Sequence, residues 1–408
     1  MVAQRLSKER RKFMKNSLTG LAGITVLPTL ITPAAGSDPP VKQAASKIIY
    51  RKLGKTGLTL PIVSMGVMNS DNPDLVKAAL EAGITHLDTA HGYQRGRNEE
   101  MIGQVIKGRP RDSFVLATKV PGRPYDRRTG LFSKNATAGP FLEKFETSLK
   151  RLGLDHVDIL YLHSVVKKES VMFEPFLNAM LKLKKDGKVR FIGVSTHSNE
   201  PEVVRAAADS KVHDVVLTAY NFLQPHREEV KNAIAHAAQA GLGIVAMKTQ
   251  AGVYWDRERQ KMINMSAALK WVLNDENVHT SIPGITTFDQ LKLNLSVMAD
   301  LNMSPQENKD LEHGPKVGRS GIYCQQCGTC VAQCKEKIDI PTMMRSYMYA
   351  YGYKNFRQAK ETLGAENFHT SLCRDCHSCQ VNCTMGFNVQ QKIMDIARII
   401  SVPDDFLG

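Results

Sequence analysis

Between residues 46 and 315 eight short apolar runs recur, each followed by a stretch with helical spacing, and this rhythm restricts the chain more than any other feature. The runs are PIVSMGV near 62, ITHLDTA at 84, FVLATKV at 114, VDILYLH at 157, VRFIGVS at 189, DVVLTAY at 214, GIVAMKT at 243 and VHTSIPG at 278. Runs this short and this apolar read as strands covered on both faces. Between them, AGPFLEKFETSLKRLG puts Phe141, Leu142, Phe145, Leu149 and Leu152 on one helical face, and EPFLNAMLKLKKDG closes on Gly187 as a helix should. Eight strand–helix units over about 250 residues have the size of a parallel (β/α)8 TIM barrel, an α/β fold. A doubly wound sheet alternates in the same way, but no Gly-x-Gly-x-x-Gly follows the first strand, so the barrel is expected.

Chemistry in such barrels gathers at the carboxyl ends of the strands. The polar residues closing these runs are Asp88, Lys119, His163, Ser195 and Lys248. Taken singly, each has an ordinary use: a helix cap, a solvated lysine, a satisfied lumen imidazole. The stretch GRPYDRRTGLFSKNATAG after the third strand carries Arg123, Arg127 and Arg128 and reads as a solvated loop, with a sugar-like or anionic ligand as the alternative.

Taken together, the middle of the chain resembles the aldo/keto reductases. The resemblance rests on YRKLGKTGLTL, LDTAHGYQRGRNEEMIG, LATKV, DILYLH, GVST and IPGITTFDQLKLNL; its most specific part is the spacing from Asp88 to Tyr93 and on to Gly96 and Glu99. It implies a catalytic set of Asp88, Tyr93, Lys119 and His163. The chemistry can also be argued from the side chains. A carbonyl that receives hydride needs a proton, and a phenol with its usual pKa near ~10 shuttles protons poorly at neutral pH unless a cation lowers that value. Lys119 would be the cation, Asp88 would hold it charged and oriented, and His163 would donate to the carbonyl oxygen. Tyr93 is then general acid in reduction and base in alcohol oxidation.

The same resemblance implies a nicotinamide dinucleotide, NADP ahead of NAD, held by Gly66, Ser195, Lys248, Gly252, Pro283, Gly284 and Asn294. Thr196 stands where the family has Asn and Leu217 where it has Gln, so polar contacts to the carboxamide are lost, and Leu293 replaces an acidic neighbour of Asn294. An atypically bound nucleotide is expected.

Beyond the barrel, YCQQCGTCVAQC and LCRDCHSCQVNC contain all eight cysteines, Cys324, Cys327, Cys330, Cys334 and Cys373, Cys376, Cys379, Cys383, each run spaced Cys-x2-Cys-x2-Cys-x3-Cys. Disulfides usually staple small domains, whereas 408 residues at 42% hydrophobic content can bury a large core. Zinc takes two Cys-x-x-Cys pairs and gives no reason for four close cysteines in one run. A four-iron cube does: three thiolates at i, i+3 and i+6 wrap three irons, and the fourth cysteine of each run serves the other cube in two-cluster ferredoxins. Two 4Fe-4S clusters are therefore expected, although Lys335 and Thr384 stand where Pro commonly follows the fourth cysteine. The 38 residues between the runs look helical, which resembles the all-helical two-cluster ferredoxins, and their Met and Tyr stripe reads as core packing.

The first 36 residues hold six Lys or Arg against one Glu, so 5 of the formal net charge of +14 belongs to this front end. Arg10 and Arg11, then Phe13 and Lys15, a moderately apolar stretch and small residues around Ala34 and Ala35 resemble a twin-arginine export signal. The remaining surplus is scattered and reads as solvated surface, with no nucleic acid expected. No run of 18 apolar residues suggests a transmembrane segment. The expected division is 1–36 signal, 37–45 linker, 46–315 barrel and 316–408 a small, mostly helical iron–sulfur domain. The expected function is a periplasmic or otherwise exported oxidoreductase that interconverts a carbonyl and an alcohol on a small polar molecule, with a redox partner protein as one candidate partner and the twin-arginine machinery as export partner. The alternative is an electron-transfer or binding protein whose barrel no longer uses nicotinamide.

Overall fold

The apolar runs pair in the order in which they are written. A computed structural model describes residues 48–126, 129–252, 262–317, 324, 326–364, 368, 373, 376 and 379–407, and residues 47–408 cluster as one compact unit. The expected export signal (1–36) and linker (37–45) lie outside the described residues. Eight strands stand side by side in chain order: β1 Met65–Gly66, β2 His86–Asp88, β3 Val115–Val120, β4 Val157–Leu162, β5 Val189–Thr196, β6 Val215–Ala219, β7 Gly243–Met247 and β8 Thr280–Ser281. Every neighbouring pair is parallel. Parallel bridges from Val63 to Ser281 and from Gly66 to Gly284 bring the last strand back to the first. Ser64 N–H donates to Ser281 O at 2.8 Å and Gly66 N–H to Pro283 O at 3.0 Å, so the ring presents no free edge there.

Side chains alternate along a strand, so Lys119 shares the inward face with Val115 and Ala117 and reaches the lumen at its carboxyl end. Ala117, Ile159, Tyr161, Val215, Leu217, Ala219 and Val245 fill the lumen, joined by Leu53, Leu58 and Leu60. Those leucines come from a hairpin, Tyr50–Lys52 antiparallel to Thr59–Pro61, which the strand rhythm does not announce. Packing in the ring is tight at Gly193, where a Cβ would lie 2.1 Å from Val215 O.

Helices α1 Pro73–Glu81, α2 Arg97–Ile106, α3 Ala138–Leu152, α4 Glu174–Lys185, α5 Glu200–Asp209, α6 Arg227–Gln239, α7 Met265–Leu273 and α8 Phe288–Ala299 follow the strands one by one. The face expected of α3 is the buried one: Phe141, Phe145, Leu149 and Leu152 are buried and Leu142 packs at the edge. The loop after β3 departs from its reading as solvated. Tyr125–Asp126 pairs with Leu131–Phe132 in a small hairpin, and Phe132 is buried against Phe173 and Phe176 at ring distances of 5.3 and 4.9 Å. The Phe132 ring anchors the loop. Arg123 is exposed, and Arg127 and Arg128 lie outside the described residues.

After α8 come α9 Pro305–Val317, α10 Ile340–Tyr351, α11 Phe356–Gly364 and α12 Val389–Ala397. Asp339 caps α10 by accepting the Thr342 N–H at 3.2 Å, with Pro341 in the first turn. Helices α10 to α12 close a second core containing Met343, Met344, Met348, Tyr349, Ile393 and Ile396. Met68, in the loop after β1, packs against this core, and Tyr349 Oη lies 3.7 Å from its sulfur. Glu361 of α11 pairs with Arg95 and Arg97 at 3.5 and 3.3 Å. The helical module is thus seated on the carboxyl face of the barrel.

Candidate active site

Tyr93 opens a tight turn between β2 and α2, and the turn is held under backbone strain. Gln94 and Arg95, neither of them glycine, adopt left-handed φ of 50° and 56°. Local hydrogen bonds hold this conformation. Gln94 Nε2 donates to Met68 O at 3.0 Å; Asn98 Nδ2 donates to Val67 O at 2.7 Å and Asn98 Oδ1 accepts the Thr89 hydroxyl at 2.7 Å. Gly96 leaves room for the Arg151 guanidinium, which a Cβ would meet at 2.2 Å. Arg151 in turn donates to His91 O at 2.9 Å and to Glu99 at 3.3 Å. The spacing of Asp88, Tyr93, Gly96 and Glu99 therefore has a local physical reason: it builds the turn that aims the phenol.

The four residues of the expected catalytic set converge at the lumen rim. Lys119 Nζ donates to Asp88 Oδ1 in a short ion pair, to Thr89 O at 2.7 Å and to Tyr93 Oη at 3.1 Å. Asp88 and Lys119 are each only 1% exposed. Burial works against the Lys119 ammonium, but Asp88 and Tyr93 outweigh it and hold its pKa above the usual lysine value. The His163 ring stands edge-on to Tyr93 with centroids 6.1 Å apart. Its pKa is pushed down to about 3 by burial, then by Lys119, Arg345 and Arg123. His163 is neutral across the working range and keeps one N–H to donate.

The expectation that Lys119 lowers the Tyr93 pKa is only half met. Lys119 does pull it down, but burial, assisted by Asp88, pushes it up further, and the net direction is upward. The resting group is a phenol, the species that a general acid needs.

A cavity of about 2050 Å³ opens over this rim. Gly66, Lys248, Gly252, Pro283 and Gly284 line it along one side, and Tyr93 and His163 lie at the lumen end. Ser195 is buried behind the wall, where its Oγ accepts the Ser164 N–H at 3.0 Å. Asn294 is buried on α8 with both amide atoms unpartnered among the described residues. Asn294 is not among the residues lining the cavity, so the fit to a dinucleotide rests on Gly66, Lys248, Gly252, Pro283 and Gly284 along its side. The two departures are equally plain. Leu217 is fully buried in the apolar lumen, and the Thr196 hydroxyl donates to Ser198 O at 2.7 Å.

The eight thiols fall into two groups. Cys324, Cys327, Cys330 and Cys383 line one small hollow. Cys330 is pushed up to about 12 by burial and then by Cys324, Cys327 and Cys383. Cys373 is pushed up to about 11 by burial and then by Cys376, Cys334 and Cys379. Each fourth cysteine thus sits with the other run's three. Four thiolates crowded together repel one another and become favourable around a cationic core, which fits iron–sulfur chemistry. Among the described residues no group of three or more His, Cys, Asp or Glu side chains is arranged to hold a single metal ion. Thr384, in the place of the usual Pro, sets its hydroxyl 3.5 Å from Cys327 Sγ, and backbone N–H groups of Gln326 and Met385 donate to Cys324 and Cys383 at 3.4 Å. Cys327 and Cys334, one from each group, also line the large cavity.

Three cavity residues escaped the sequence reading. Arg345, Tyr349 and Tyr353 reach the cavity from α10 and the turn after it, so the Met and Tyr stripe is core on one side and cavity wall on the other. The single arginine inside PTMMRSYMYAYGY was the available signal. His197, just past β5, stands 6.3 Å from His163 between ring centres and leaves Nδ1 unpartnered among the described residues.

Residues 59–267 match the family model described as Aldo/keto reductase family, and residues 323–388 match that described as 4Fe-4S dicluster domain. The L-glyceraldehyde 3-phosphate reductase of Escherichia coli (strain K12) is 26% identical over 333 residues, covering 67% of this chain and 94% of that protein. An aldo-keto reductase of Mycobacterium sp. (strain KMS) is 30% identical over 279 residues, covering 64% and 93%. The solved aldo-keto reductase AKR11C1 from Bacillus halodurans, in its holo form, superposes with a TM-score of 0.52 at 22% identity, over 66% of this chain and 96% of that one.

Proposed function

The chain belongs to the aldo/keto reductase family, and from that premise we propose that it reduces the carbonyl of a small polar molecule with Tyr93 as general acid. It is an oxidoreductase that carries a 4Fe-4S dicluster domain. The observation that carries the proposal is the buried chain from Asp88 through Lys119 to the Tyr93 phenol, open to a cavity at its phenol end. When bound, the reduced nucleotide, NADPH or NADH, would supply the hydride. Tyr93 passes its proton to the carbonyl oxygen; the phenolate left behind is stabilised by the ammonium 3.1 Å away. Asp88 keeps that ammonium charged, and neutral His163 donates an N–H that orients the oxygen. The raised Tyr93 pKa suits the acid role and disfavours the base role at neutral pH.

The same reading assigns Cys324, Cys327, Cys330 and Cys383 to one four-iron cluster and Cys373, Cys376, Cys379 and Cys334 to a second, for electron transfer or to brace the helical module beginning near residue 316. The Arg10–Arg11 front end would send the folded, cluster-bearing protein through the twin-arginine pathway to the periplasm, a route that accepts folded cargo. A second reading is favoured by Leu217 and Thr196, neither of which offers a carboxamide contact: an electron carrier whose barrel has given up nicotinamide.

One experiment separates them. Protein purified anaerobically is titrated with NADPH and NADH and then mixed with a panel of aldehydes. Nucleotide binding and aldehyde-dependent nucleotide oxidation are expected, and Tyr93→Phe should retain the first and lose the second. Iron without nucleotide uptake would favour the carrier.

A further inference from the structure

We propose that Arg345, contributed by the iron–sulfur module, is the substrate-anion contact of the reductase site, which makes the substrate class carbonyl compounds bearing a carboxylate or phosphate. The inference deepens the reductase reading and rests on it. Arg345 lies on α10, whose position is set by the second core, and it lines the cavity together with Tyr93, His163 and His197. Its only hydrogen bond among the described residues is from Nη2 to Thr342 Oγ1 at 3.2 Å. A guanidinium has five N–H donors, so most of its donor capacity is uncommitted among the described residues. No carboxylate pairs with it among the described residues. Those nearby are engaged elsewhere: Asp88 by Lys119, Asp339 by Thr342, Glu361 by Arg95 and Arg97.

Electrostatics place the charge at the reacting end. The Arg345 field acts on Tyr93, His163, His197 and Lys248 at once. A half-buried cation that depresses its neighbours and lacks a counter-charge is stabilised by an anion brought from outside, and a planar guanidinium matches the two oxygens of a carboxylate or phosphate. His197, whose buried Nδ1 is unpartnered among the described residues, lines the same cavity.

The test compares 4-oxobutanoate with butanal, and glyceraldehyde 3-phosphate with glyceraldehyde, on the cluster-loaded full chain. The wild type is expected to show a KM at least tenfold lower for the charged member of one pair, and whichever pair shows it identifies the anion. Arg345→Met should erase that difference in KM while leaving the KM for NADPH within twofold, and Arg345→Lys should restore part of it. Calorimetric titration with succinate and with inorganic phosphate provides a readout free of turnover: binding to wild type and none to Arg345→Met is expected. Equal binding to both proteins, or none to either, overturns the anion site. So does an Arg345→Met effect confined to NADPH. If butanal is not reduced by the wild type while anions still bind through Arg345, the reductase reading has failed and the anion site stands.

Discussion

At the residue scale the site depends on one buried ion pair and what it holds in place. Asp88 and Lys119 are almost completely buried, so removing one partner strands the other. Lys119→Met is expected to lower stability by about 3–5 kcal/mol. The double change Asp88→Asn with Lys119→Met should recover most of that while activity stays lost, which chemical denaturation beside steady-state assays would show. If the double variant were as unstable as the single one, the pair would not be the source of the loss. The Tyr93 phenol offers a pH test. Its pKa is raised, mainly by burial, so the phenol persists throughout the range below the usual phenol value. Carbonyl reduction should therefore show no alkaline decline assigned to Tyr93 below about pH 10, and alcohol oxidation should keep rising with pH over the same interval. His163, at about 3, should contribute no limb between pH 5 and 8. A reduction profile that falls with a midpoint near neutrality would contradict this assignment. Tyr93→Phe should cost about 10²–10⁴ in turnover with the circular dichroism spectrum unchanged.

At the element scale, strands place the groups and turns aim them. Ring closure leaves no slack at Gly193 on β5, and Gly193→Ala would push a methyl group towards Val215 O. The expected loss is about 1–3 kcal/mol or more, read as a lower unfolding temperature. Gly284 is the contrast: a Cβ there meets nothing within 4 Å, although the residue lines the cavity. Gly284→Ala should fold normally, and its effect should be confined to nucleotide affinity. Unchanged stability in Gly193→Ala would show that the ring relaxes more readily than the packing indicates. The loop after β3 carries the same lesson in reverse. Its arginines suggested solvation, yet Phe132 anchors it, because one ring buried against Phe173 and Phe176 outweighs the charge of Arg123, which stays exposed.

At the scale of the whole molecule, two cores meet over one cavity, and the crossed cysteine grouping ties the module together. Under that crossing, Cys330→Ser with Cys383→Ser removes one cluster only and leaves about half the iron, whereas Cys376→Ser with Cys383→Ser removes both. Iron analysis with low-temperature spin resonance distinguishes the two, and the reverse pattern would mean that each run serves a single cluster. Local spacing and periodicity by themselves determined eight strands in order and the helix faces, and the cysteine spacing pointed to iron–sulfur ligation, while the grouping of Asp88, Tyr93, Lys119 and His163 came from the resemblance to the aldo/keto reductases. These are readable because the physics behind them is short-range, in the alternation of a strand, the turn of a helix and the reach of a thiolate run. Only the tertiary structure decided that burial outweighs Lys119 at the phenol, that Ser195 stands behind the cavity wall, and that Arg345 enters a site some 250 residues upstream of it. Desolvation and the field of a distant charge depend on what packs around a group, and that is set by the seating of one core upon another rather than by any stretch of neighbouring residues.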